Sequence, residues 1–353
     1  MGTESIEASF LSIFALISFF IFLIVSKYSR KINNGVLLDE DLTKPQAFHN
    51  IPVTRSGGLA AIISLGIFFG IYFILYSKIL YEYIFISFTM FAIGFLDDLK
   101  INLRPSIRLL VMIFFLSILI YFLQIKILNL DIPFLIPILN IDIFSSFFVL
   151  LCFLFIINGA NLIDGFNGLL VIHLIIINII LSYINFNSAN YEFSFLLTSQ
   201  IIILLSFLLF NFPSAKIFLG DSGAYLLGSL TGLNAIITNN LNPNISSFFF
   251  CTLLFYLFFE VFFSFFRKIY QNKSPINPDE KHLHMLSYYR ISQIFGKNKA
   301  NYLNSIFINI VYLVLIFPGL YSINNPILSR SWFFILLLIY SIIYLRLYRL
   351  TKN

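Results

Sequence analysis

Charged residues in this chain lie mostly in stretches between apolar blocks of roughly 15 to 21 residues, each about long enough to cross the hydrocarbon core of a bilayer. Such blocks predict an all-α polytopic membrane protein, because a membrane-spanning helix pairs its backbone groups within itself. We place eleven spans near 9–26, 58–76, 80–96, 107–123, 143–158, 168–185, 193–211, 223–238, 246–266, 302–321 and 331–345. Composition agrees: 59% of the 353 residues are hydrophobic and 11% charged, whereas a soluble domain carries about a quarter charged residues. Cys152 and Cys251 both lie inside apolar blocks, so no disulfide framework or metal-type cysteine spacing is present.

Charge sets the expected orientation. No basic residue precedes the first block, and Lys27, Arg30 and Lys31 follow it directly. It therefore reads as a retained span with its N-terminus outside, not a cleaved signal. The stretch 126–142 is interrupted by Pro133 and Pro137 and carries Asp131 and Asp142, which makes it an outer loop or surface hairpin. With that choice only Lys78, Lys126 and Arg330 fall outside, which leaves 19 of the 22 Lys and Arg on the cytoplasmic side together with the C-terminus. The net charge of +6 is thus explained by orientation, and no nucleic-acid partner is expected. No repeat or linker divides the chain, so residues 1–353 form one membrane domain. Its functional loops are expected near 27–57, 97–106, 158–168, 212–223 and 267–301.

Five polar clusters interrupt the apolar pattern. The first, Arg55-Ser-Gly57-Gly58, opens a span, where free N–H groups at a helix start can receive an anion. Taken alone it reads better as a flexible entry to the span with a positive-inside charge. The second is Asp97-Asp98, two carboxylates that repel each other at a helix C-terminus already negative by its dipole. A cation or a chemical task at headgroup level would explain them. The third, Asn158-Gly-Ala-Asn161-Leu-Ile-Asp164-Gly-Phe-Asn167-Gly, packs amides, a carboxylate and glycines between two spans. Such a stretch can hold a metal ion, sugar hydroxyls or a nucleobase, or it can be a polar turn.

The fourth, Lys216-Ile-Phe218-Leu-Gly220-Asp221-Ser-Gly223, puts Asp221 at a helix start, which suits a divalent cation but, taken alone, reads better as an N-cap. The fifth is His282-Leu-His284-Met285, followed by Arg290; imidazoles beside basic residues suit phosphate better than half a zinc site does. His173 and His49 stand apart, and His173, inside a span, reads as a packing residue. Glu260 is the one carboxylate well inside a span; it is either functional or simply paired with Arg267 and Lys268. What favours function is parity. Asp97, Asp98, Asn161, Asp164, Asp221, His282 and His284 all fall on the cytoplasmic side of a topology drawn from Lys and Arg alone.

These stretches, in this order from Arg55 to Arg290, resemble the polyprenyl-phosphate N-acetylhexosamine-1-phosphate transferases, relatives of the phospho-MurNAc-pentapeptide transferases. The resemblance implies transfer of a HexNAc-1-phosphate from a UDP-sugar such as UDP-N-acetylglucosamine to polyprenyl (undecaprenyl) phosphate, releasing UMP. It implies the first step of a surface polysaccharide such as the O-antigen of lipopolysaccharide, in the cell inner membrane with the site facing the cytoplasm. Mg²⁺ is the implied cofactor, with Mn²⁺ as an alternative, and a homodimer is among the assemblies considered. By motif, Asp97, Asp98, Asp164, His282 and His284 correspond to catalytic positions. Asp221 and Asn161 correspond to the metal site. Arg55, Gly57, Gly58, Asn158, Asn161, Asn167, Lys216, Phe218 and Arg290 correspond to substrate contacts, Phe218 by stacking on uracil. The sequence departs from the family pattern at Asn167, usually aspartate in bacterial members, and at Met285, often a third histidine.

Three other readings fit less of the sequence. The muramoyl-pentapeptide branch carries a run of consecutive histidines that is absent here. A UbiA-like prenyltransferase needs a second aspartate-rich motif, and none appears. A transporter would put polar groups at mid-membrane depth with symmetry between its halves.

Overall fold

A single helix, α9 (Gly220–Leu241), runs through the middle of the bundle, with 18 of its 22 residues buried. The computed structural model describes residues 3–29, 31, 35–39, 52–101, 104–274 and 279–352; His49 and Asn102 lie outside them. Before α9 come α1 (Thr3–Tyr28), β1 (Leu38–Asp39), β2 (Val53–Arg55), α2 (Gly57–Tyr76), α3 (Tyr81–Asp98) and α4 (Pro105–Phe122). Next are α5 (Ile136–Leu139), α6 (Asp142–Ile163), α7 (Leu169–Asn187), α8 (Tyr191–Asn211) and β3 (Ile217–Phe218). After α9 come α10 (Ser247–Leu253), α11 (Phe255–Tyr270), α12 (Leu283–Phe295), α13 (Lys297–Tyr321) and α14 (Pro326–Lys352).

The eleven apolar blocks are all helical, but they do not qualify equally as spans. Among the described residues, eight helices are long and apolar enough to cross a membrane: α1, α2, α4, α6, α7, α8, α13 and α14. The block at 246–266 is not one straight helix: α10 and α11 meet at a 73° bend, and as one broken span they would make nine. No proline or glycine sits at that bend. Instead the Tyr312 hydroxyl donates to the Leu253 carbonyl at 2.7 Å, occupying an acceptor at the break.

The remaining two, α3 and α9, are not among the helices apolar enough to span. They pack more extensively on each other than does any other pair of elements. A helix walled in by other helices need not be apolar, provided its polar groups pair. In α9 the Asn234 amide donates to Asn178 at 3.0 Å and to Gln200 at 2.7 Å, and Asn234 accepts from Tyr83 at 2.8 Å. Side-chain bonds of this kind hold membrane helices together where no hydrophobic force distinguishes neighbour from lipid. Towards lipid the surface is apolar, as on α4, where Leu110 and Phe122 are 67% and 75% exposed.

The expectation of an all-α chain needs one correction. β1 pairs antiparallel with β2, and β2 pairs parallel with β3, with Thr54 opposite Ile217 and Arg55 opposite Phe218. Strands of two or three residues carry no alternation that a sequence pattern could reveal. Their effect is local: they bring the first polar loop against the start of α9. The stretch 126–142 is a loop with one helical turn, α5. Its Asp131 accepts from the Ser247 N–H at 2.7 Å, capping α10.

Candidate active site

The polar clusters gather where α3 and α6 end and α9 begins. Gly94 permits the approach of α3, since a Cβ there would lie 2.5 Å from the Asp221 carbonyl. Gly220 has φ +78° and faces Asp98 so closely that a Cβ would lie 2.6 Å from its Oδ2. The two aspartates that close α3, just past the apolar block 80–96, consequently point at different partners.

Asp98 is 2% exposed, and its two oxygens accept from the N–H groups of Asp221 at 3.0 Å and Ser222 at 2.9 Å. It therefore caps α9, with Arg55 Nη1 3.9 Å from its Oδ1. Asp97 is half-buried, and its Oδ2 accepts from Arg108 Nη1 at 2.7 Å. The same nitrogen donates to Asp221 Oδ2, also at 2.7 Å, and the guanidinium lies over the Tyr225 ring. Burial, followed by the proximity of Asp221, raises the affinity of both Asp97 and Asp98 for protons above the ordinary carboxylate range.

Two carboxylate oxygens from separate helices thus converge on one cationic group, with Asn161 also bonded to Asp221. Among the described residues, no three acidic, histidine or cysteine side chains are close enough to enclose a metal ion. The donor set is that of a hard cation bound by one or two carboxylates, with the rest of its shell left to water or phosphate.

Asp221, Asn161 and Asp164 line a polar cavity with Arg55, Asn167 and Phe218. Helix α6 continues past its predicted end at 158, so Asn158 and Asn161 lie on its last turns and Asp164 follows as the C-cap. Burial, then Asp221, pushes the Asp164 carboxyl well above its usual range. The Asn167 amide donates to the Pro213 carbonyl at 2.9 Å, a bond that a carboxylate could not make. Phe218 enters the wall from β3.

Several expected contacts are placed elsewhere. Gly58 N–H donates to the Leu219 carbonyl at 2.8 Å, so the Gly57-Gly58 pair fastens α2 to the entry of α9, and that N–H is not open to an anion. Asn158 turns back to the Leu154 carbonyl at 2.7 Å. Lys216 is exposed outside the cavity wall, and Arg290 bonds Gln293 at 3.0 Å. His282 and His284 are buried behind the wall, which Met285 reaches in their place. Burial pushes His284 down to about 3, so it is neutral. His173 is packed as expected, its Nδ1 3.2 Å from the Asn309 amide oxygen.

Four residues were missed as site residues. Arg108 had a signal, being the basic residue one turn into the helix after the aspartate pair. Asn211 and Asn301 had none: Asn211 accepts from Gly168 N–H at 2.7 Å, and Asn301 accepts from Asn167 N–H at 2.8 Å. Asp39, paired with Arg55 at 2.8 Å, comes from a strand too short to be seen in the sequence.

Residues 80–239 match the family described as glycosyl transferase family 4. An undecaprenyl-phosphate alpha-N-acetylglucosaminyl 1-phosphate transferase of Thermotoga maritima is 27% identical over 278 residues, covering 76% of this chain and 78% of its own. A putative UDP-N-acetylglucosamine–dolichyl-phosphate N-acetylglucosaminephosphotransferase of Saccharolobus solfataricus is 33% identical over 223 residues, 62% of this chain and 68% of its own. A phospho-N-acetylmuramoyl-pentapeptide-transferase of Clostridium beijerinckii is 30% identical, over 43% of this chain and 50% of its own. The chain belongs to this family of polytopic membrane sugar-phosphate transferases.

Proposed function

We propose that the protein transfers a HexNAc-1-phosphate from UDP-HexNAc to polyprenyl phosphate in the inner membrane. The products are polyprenyl-diphospho-HexNAc and UMP, the starting unit of a surface polysaccharide such as O-antigen. The observation that carries this reading is the convergence of Asp97 and Asp221 on the Arg108 guanidinium, beside a polar cavity walled by Phe218 where α3 and α6 end and α9 begins. Joining two phosphates brings like charges together, which calls for exactly that balance of acids, bases and cation.

In this reading an oxygen of the lipid phosphate attacks the β-phosphorus of the sugar nucleotide, and the bond to UMP breaks with the electron pair leaving on UMP. Asp221 and Asn161 would hold Mg²⁺, which would supply charge stabilisation to the phosphates. Arg55 and Arg108 supply further positive charge. Phe218 offers a ring for uracil, and Asp164 and Asn167 offer hydrogen bonds to the nucleotide. A carboxylate raised in proton affinity, as Asp97 is, suits removal of the remaining proton from the lipid phosphate.

Purified protein in lipid nanodiscs, given polyprenyl phosphate and a panel of UDP-sugars including UDP-MurNAc-pentapeptide, should release UMP with one UDP-HexNAc and require a divalent ion. No UMP release with any member of the panel would sink the proposal, and release with the pentapeptide alone would move the protein to the muramoyl branch.

The orientation belongs to the same proposal. Counted as eleven spans with the N-terminus outside, the acids face the cytoplasm. Single cysteines at Asn187 and Ser274, in protein lacking Cys152 and Cys251, should then label from opposite sides of an intact membrane. Labelling from one side would overturn the span count.

A further inference from the structure

Glu260 lies in the second turn of α11 and is 1% exposed. Its sequence neighbours suggested a pairing with Arg267, but Arg267 pairs with Asp279. Glu260 turns instead to the histidine loop. Its Oε1 lies 3.0 Å from His282 Nδ1 and accepts from Leu283 N–H at 3.1 Å, while Oε2 accepts from the Tyr340 hydroxyl of α14. An ionised carboxylate can only accept, so His282 must present its proton on Nδ1. In the neutral ring the lone pair then sits on Nε2. The loop is held on its other side as well. Arg267 and the Tyr344 hydroxyl both donate to the Lys281 carbonyl, at 2.9 and 3.0 Å. The ring of His284 lies parallel to that of His282, 3° apart in plane at 5.5 Å.

We propose that Glu260 is the positioning residue for His282, fixing its Nδ1–H tautomer and ring orientation for the transfer reaction. The inference rests on the reading of the site as a HexNAc-1-phosphate transferase. The reason to invoke positioning is cost. Burying a carboxylate within a helix bundle is expensive, and a neutral amide would cap α12 at Leu283 equally well. What the amide cannot do is dictate the tautomer. It offers a donor as well as an acceptor to Nδ1, whereas the carboxylate offers only acceptors. Carboxylate partners of this kind commonly fix the tautomer of a functional histidine.

The test uses the full-length protein in nanodiscs with Glu260→Gln. Three quantities are read: thermal melting, kcat and KM for both substrates, and nitrogen-15 NMR of labelled histidine, with His282 assigned by its loss in His282→Gln. Expected are a melt close to wild type, a kcat lower by about 10- to 100-fold with both KM values within about two-fold, and a His282 Nδ1 signal that loses its single protonated form. Tyr340→Phe leaves the Glu260–His282 pair intact and should retain that signal. An unchanged His282 spectrum in Glu260→Gln overturns the proposal, as does wild-type kcat. Should Glu260→Gln fail to fold, the wild-type spectrum decides: an unprotonated Nδ1 on His282 overturns the proposal, and a protonated one supports it. If the wild type transfers no sugar phosphate at all, the transferase reading fails, while the spectrum still reports on the Glu260–His282 pair.

Discussion

Asp221→Asn is expected to lower kcat by about 100- to 1,000-fold, the scale associated with losing one charge-stabilising group at a phosphoryl site. The substitution keeps the shape of the side chain and leaves the backbone N–H of residue 221 bonded to Asp98, so α9 should start where it does now. What changes is charge. Asp221 Oδ2 is one of two carboxylate oxygens that meet at Arg108 Nη1, and as a ligand for the divalent ion proposed here an amide oxygen is far weaker. The variant should therefore also need a higher Mg²⁺ concentration for half-maximal rate. Unaltered Mg²⁺ dependence with near wild-type turnover would show that Asp221 serves only the helix start.

The adjacent aspartates should separate into two kinds of loss. Asp97→Ala is expected to reduce turnover by about 100-fold or more, because the group that shares Arg108 with Asp221 is removed from a site built around charge. Its fold should change little, since Asp97 is half-buried and bonds no backbone group of α9. Asp98→Ala should instead destabilise the protein by about 2 to 4 kcal/mol, as the buried N–H groups of Asp221 and Ser222 both lose their acceptor. Activity would fall with it, through the loosened start of α9. The measurement is a melt beside a rate for each variant. Equal destabilisation by both substitutions would contradict the division of roles drawn from the geometry.

Much of this was legible in the chain itself. Block length in a low-charge sequence specified helices, because the bilayer admits a segment of that length only with its backbone paired internally. The gathering of Asp97, Asn161, Asp164 and Asp221 was also legible, since each stands at the end of a block and the parity of spans puts those ends on one face. Which side chain performs which task was not. Nothing local distinguishes Asp97 from Asp98. Their difference arises because α3 meets α9 at Gly94 and turns one carboxylate beneath the helix start and the other towards Arg108.

The same holds for His282, whose partner Glu260 lies 22 residues away on the helix that follows the break where Tyr312 bonds the Leu253 carbonyl. Asn301 and Asn211 reach the cavity loop from α13 and α8, helices with no other claim to the site. Helical apolar blocks follow from the transfer of each segment into lipid, a sum over neighbouring residues that the sequence contains by itself. Hydrogen-bond partners depend on which helix faces which across the bundle, and that is decided by packing between segments far apart in the chain.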